Sequence, residues 1–72
     1  MEVDILVRAG RRIRYLRTSR GITQEVLSGQ AGITRVNLSR IENGKAEAGL
    51  TTLADLAHGL GIKLSDLLMG ID

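Results

Sequence analysis

Residues 23–45, TQEVLSGQAGITRVNLSRIENGK, constrain this chain more than any other stretch. Leu27, Ala31, Ile33, Leu38 and Ile41 fall where two short crossing helices must share a core. Gly32 lies between the halves, where a left-handed residue leaves the first helix at least steric cost. Thr34 follows at a position suited to N-cap the second helix. The spacing therefore predicts a helix, a tight turn and another helix over about 23–43.

The flanks extend the same pattern. Asp4 is expected to N-cap a helix running to about Ser19, with Ile5, Ala9, Ile13 and Leu16 as its buried stripe. Gly21 ends it, and Thr23 caps the next helix, with Glu25 in a first turn that suits a carboxylate. The third helix covers about Arg35 to Glu42 and closes at Gly44. After a loop, Gly49 opens a fourth helix with Leu50, Leu53, Ala57 and Leu60 inward. Gly61 turns the chain into a fifth, about Leu64 to Gly70. There Leu64, Leu67, Leu68 and Ile71 form an i, i+3, i+4, i+7 stripe, with Met69 beside it. The expected fold is all-α: five short helices in one compact domain spanning 1–72.

Seventy-two residues bury only about 60% of the unfolded chain's surface, so stability is marginal. Without cysteine, neither disulfides nor thiolate metal sites can add to it, and helix packing or oligomerisation must. No apolar run is long enough to span a bilayer and no secretory leader is evident. A cytoplasmic location is expected. Residues 1–45 carry nine Arg/Lys against four Asp/Glu, a balance of +5, while residues 46–72 carry one against four, or −3. Such asymmetry suits a polyanion on one part of the surface. Tyr15, the only aromatic residue, cannot supply a stacking platform for single strands, so a duplex is the expected partner. His58 has no second histidine or cysteine to complete a metal set. Nor is there a nucleophile–base pair, a carboxylate dyad or a phosphate-cradling loop. Neither catalysis, a metal nor a cofactor is expected.

Compact helix pairs with a glycine turn are the sequence form of a helix-turn-helix. The segment resembles the Cro and phage-repressor family, the xenobiotic-response-element class. Gln24, Leu27, Ala31-Gly32-Ile33, Leu38, Ser39, Ile41 and Glu42-Asn43-Gly44 carry the likeness. Arg12-Ile13, Leu16-Arg17, Leu50, Leu53, Ala57, Leu60-Gly61 and Asp66-Leu67-Leu68 extend it over about 10–69. The resemblance implies a lambda-repressor-like fold and sequence-specific binding of double-stranded DNA. This chain departs from the pattern at Ser28, a hydroxyl buried where alanine is usual, and at Gly29, which costs about 1 kcal/mol relative to alanine. Ala48-Gly49 and Lys63 also replace the usual residues at the starts of helices four and five.

With Leu38 and Ile41 inward, 100° per residue turns Val36, Ser39, Arg40 and Asn43 away from the core, and Arg35 protrudes from the first turn. That strip is the part that would enter a major groove. Arg35 and Arg40 match guanine O6 and N7, and Val36 suits a thymine methyl. The alternative is two solvated arginines, which the surrounding motif outweighs. Ser39 and Asn37 either touch DNA or bond their own backbone.

The resemblance implies phosphate contacts from Gln24, Thr34, Asn43 and Lys45. Gln24 also stands at a helix N-terminus, a natural anion site. The family's internal arginine corresponds to Arg17, implying a pair with Glu42, whereas Arg8, Arg11 and Arg14 read as a solvated face.

One such domain covers one half-site, too little for specificity among many competing sites, so a homodimer on a two-fold symmetric operator is expected. Leu64, Leu68, Met69 and Ile71 are the candidate dimer surface. No effector segment is evident. Chains of this kind resemble restriction–modification controller proteins and small phage repressors, acting as repressors or autoregulators. The alternatives are an antitoxin that represses its own operon, or an adaptor that uses this fold to bind a protein.

Overall fold

The computed structural model describes residues 2–71, with side chains from Ile5 onward. Among the described residues the elements are α1 (Glu2–Ser19), α2 (Gln24–Ala31), α3 (Arg35–Glu42), α4 (Leu50–Leu60) and α5 (Leu64–Leu68), with no strand. Helix α1 packs on α3 and α5, α2 packs on α3 and α4, and α4 packs on α5. Ile13, Leu16, Leu27, Ala31, Leu38, Ile41, Leu56, Ala57, Leu60 and Leu67 form one continuous core. Ile33 packs against its edge.

The two threonines cap as their positions require. Thr23 Oγ1 accepts from the Val26 N–H at 3.1 Å, and Thr34 Oγ1 accepts from the Asn37 N–H at 3.0 Å. Each satisfies one of the orphan donors at its helix start. Gly32 has φ 71°, and its N–H with that of Ile33 returns to the carbonyls of Gly29 and Ser28. That closes α2 and sets the angle at which α3 departs. The buried Ser28 hydroxyl finds its carbonyl within its own helix, on Glu25 at 3.1 Å. Neither α4 nor α5 has a side-chain cap, since Gly49 and Lys63 make none.

Several expectations need correction. Helix α1 begins at Glu2, so Asp4 is within it and does not cap it. Ile5 is 43% exposed, at the mouth of an apolar cleft shared with Leu53, Leu68 and Ile71. In α4, Leu50 is 70% exposed while Leu56 is wholly buried. Helical side chains tilt toward the N-terminus, so Leu50, the first residue of its helix, projects beyond the end of the core. Leu56 takes the inward place between Leu53 and Leu60. Helix α5 stops at Leu68, not Gly70, and the chain then turns Ile71 inward. With Ile71 buried and Leu64 half-buried against the core, only Leu68 and Met69 of the expected dimer set face outward.

Gly10, which the helical periodicity passes over, sets the crossing of α1 and α3. A Cβ at this position would meet the Ile41 carbonyl and lie 2.6 Å from that of Glu42. Around Gly29, in contrast, nothing stands within 4 Å. Gly29→Ala is therefore expected to stabilise the chain by about 1 kcal/mol through helix propensity alone. Gly10→Ala should destabilise it by about 1–3 kcal/mol through overpacking. Urea unfolding of the two variants checks both signs.

Candidate nucleic-acid interface

Helix α3 turns Leu38, Ile41 and Glu42 into the bundle and exposes Arg35, Val36, Asn37, Arg40 and Asn43. Val36 is 62% exposed, an open position for an apolar residue. Ser39 is half-buried between the two faces. Arg35 makes no hydrogen bond among the described residues, so its guanidinium fork is available. Arg40 instead donates Nη2 to the Lys45 carbonyl at 3.2 Å, which leans it toward the loop after α3. Thr34 and Lys45 are exposed at the two ends of this strip.

The base of the strip is fixed by one carboxylate. Glu42, the last residue of α3, has no exposed side-chain surface. Arg17 meets it as a fork, Nε to Oε2 at 2.7 Å and Nη2 to Oε1 at 3.0 Å. The remaining Arg17 amino group, Nη1, reaches the Ile22 carbonyl at 2.8 Å. Gln24 Nε2 donates to Oε1 at 3.0 Å, and Arg14 Nε does so at 3.4 Å. One carboxylate thus joins α1, the start of α2 and the end of α3.

Burial by itself raises the pKa of Glu42. Hydrogen bonds from Arg17 and Gln24, the Arg17 charge and the Arg14 bond outweigh it, so the group lies below its ordinary 4.5. Glu42 stays ionised at neutral pH and holds its donors.

Two arginines of α1 differ from expectation. Arg14 is exposed as expected but is not merely solvated: besides Glu42 it donates Nη2 to Asn43 Oδ1 at 2.7 Å. It lies three residues from Arg17, hence on the same side of the helix, and that spacing was the available signal. Arg8 is half-buried, while Arg11 is exposed. Arg12 and Arg20 serve the fold, donating to carbonyls of Asp66 and Leu67 and to those of Leu60 and Leu16. Gln24, expected to face phosphate, has one amide N–H engaged by Glu42 and a second still to give. His58 is exposed, and among the described residues no group of His, Cys, Asp or Glu could hold a metal ion. None of the described helices is long and apolar enough to cross a membrane.

A family model described as helix-turn-helix matches residues 13–67. The chain belongs to this family. It is a DNA-binding regulator of the xenobiotic-response-element class. It is 37% identical over 70 residues to control protein C.MunI of a Mycoplasma species, covering 96% of this chain and 95% of C.MunI. Its fold is similar to that of the restriction-modification controller protein C.AhdI from Aeromonas hydrophila, with a TM-score of 0.83 and 35% identity over 86% of this chain and 94% of C.AhdI. The clp gene regulator ClgR from C. glutamicum has a TM-score of 0.87 at 27% identity, over 93% of this chain and 87% of ClgR.

Acid should reveal the Glu42 cluster. A folded-state pKa below the unfolded one contributes stability that is complete above the unfolded value and is lost as pH falls through the folded value. Unfolding free energy should therefore decline once pH drops below about 4.5, the ordinary value for Glu42. Glu42→Gln should be less stable at pH 7 and show a shallower acid decline. Urea titrations at a series of pH values measure both slopes; parallel slopes would exclude Glu42 as their source.

Proposed function

We propose that this protein is a homodimeric transcriptional repressor or autoregulator of the restriction–modification controller kind, reading a two-fold symmetric operator. Its 72 residues act as one DNA-binding domain, and each copy places α3 in the major groove of one half-site. The observation that carries this reading is the exposed strip Arg35–Val36–Arg40 on a helix whose far end is locked by Glu42. A strip so held keeps its side chains in one register against base edges, which is what direct readout needs. The likeness to C.MunI and C.AhdI over nearly their full lengths supports the controller assignment.

Arg35 and Arg40 take guanine edges, and Val36 packs on a neighbouring thymine methyl. Arg40 gives up its bond to the Lys45 carbonyl, or keeps it and uses its other donors. Gln24, Thr34, Asn37, Asn43 and Lys45 take phosphates and fix register without reading sequence. The second N–H of Gln24 suits this role beside the N-terminus of α2. Leu68 and Met69 provide the outward apolar part of the dimer contact. The protein acts in the cytoplasm, with no small-molecule effector, so its concentration sets occupancy.

Selection of bound duplexes from a random pool tests the assignment, with a symmetric, guanine-bearing site as the expected product. With roughly 6–10 phosphate contacts, affinity should fall by about 10³–10⁵ between about 50 and 200 mM salt. Arg35→Ala should relax base preference by about 1–3 kcal/mol at one position, and Gln24→Ala should weaken all sequences alike. A mass that rises with concentration in sedimentation supports the dimer. A salt-insensitive protein that enriches no site would instead be an adaptor for another protein.

A further inference from the structure

The hydrogen bonds around Asn43 run in one direction. Arg14 stands 2.7 Å from the Asn43 amide through Nη2, while its Nε faces Glu42. A guanidinium has donors and no acceptor, so the amide atom facing it must be the oxygen. The orientation of Asn43 follows from chemistry alone. Its Nδ2 is then turned toward Ser39 and donates to Oγ at 3.4 Å. A second Nδ2 hydrogen remains. The Ser39 hydroxyl, already accepting, finds no acceptor for its own proton among the described residues.

We propose that Arg14 is a positioning residue for sequence readout: by fixing Asn43, it makes Ser39 and Asn43 present donors to the duplex. This rests on α3 being the helix that reads the groove. Asn43 then suits a phosphate, which only accepts. Ser39 suits a base with a major-groove acceptor, which guanine, adenine and thymine each have. Cytosine offers only its N4 donor there, which the second lone pair of Ser39 could accept but which leaves the hydroxyl proton without an acceptor. The base pair at Ser39 is therefore read by polarity, with cytosine disfavoured on the contacted strand by roughly five- to tenfold, the worth of one neutral hydrogen bond. Arg14 itself, with its side chain half in solvent, touches no base in this scheme.

The test is selection from a random duplex pool, with sequencing of bound and unbound fractions, for the unaltered protein and four variants. The unaltered protein should exclude cytosine at one position of each half-site. Ser39→Ala should identify that position by losing the exclusion there. Arg14→Met should lose it at the same position and keep its guanine preferences elsewhere. Arg14→Lys keeps the charge and guards against a folding defect, but one ammonium cannot span Glu42 and Asn43 as the fork does, so it should relax the same position. Asn43→Asp supplies acceptors only. Ser39 would then donate inward and offer lone pairs outward, and cytosine or adenine should become enriched at that position. The proposal is overturned if either Arg14 variant keeps the cytosine exclusion or weakens all sequences uniformly. It is equally overturned if Ser39→Ala changes no single position, or if Asn43→Asp retains the original preference. Failure of the unaltered protein to enrich any site is a different result, and sinks the DNA-reading assignment itself.

Discussion

Glu42 carries a negative charge at the C-terminal end of α3, where the helix dipole disfavours it, and inside the bundle, where desolvation penalises it. It is held by four N–H groups from Arg14, Arg17 and Gln24. Two of these residues are on α1 and the third opens α2. A buried pair of this type contributes modest net stability, because desolvation consumes much of the Coulombic gain. What it contributes is geometry. The end of α3, the start of α2 and the long first helix are tied at one point.

The core complements that tie. Leu27 and Ala31 from α2 meet Leu38 and Ile41 from α3, and α1 and α4 close the other sides with Ile13, Leu16, Leu56 and Ala57. Apolar burial gives the bundle its cohesion without specifying register closely, since such side chains tolerate small slides. The directed bonds of Glu42, together with the threonine caps and the left-handed Gly32, remove that freedom. The outward residues of α3 thus inherit their positions from Glu42, Arg17 and Gly32, which lie behind the exposed strip.

Much of this was legible from residue spacing. The repeat of Leu27, Ala31, Leu38 and Ile41 around Gly32 specified the helix pair, and Thr23 and Thr34 stood where hydroxyl caps belong. Most of the outward set on α3 followed from 100° per residue, though Ser39 is half-buried and Asn37, outside that set, is exposed. What escaped was set by where helix ends lie or how two backbones cross. Leu50 and Leu56 both fit the periodic stripe of α4, whose start after Gly49 was expected, and periodicity does not say how far the core extends along that helix. Arg14 and Arg17 are identical in type and share a face. That both reach Glu42 depends on the depth at which α1 crosses α3. Gly10 carries no signal in the helical periodicity, because the carbonyls that exclude a side chain there belong to Ile41 and Glu42, far along the chain. Ile71 fitted an outward stripe until the turn after Leu68 carried it inward.

The contact at Gly10 has a mechanical consequence. With the α1 backbone against the last carbonyls of α3, α3 has little room to tilt or slide toward α1 without moving that long helix with it. A binding partner of imperfect shape then meets little adjustment at this crossing. In the proposed complex the strain falls on the double helix, whose stiffness varies with base composition. Bases that nothing touches can then weigh in the choice of site.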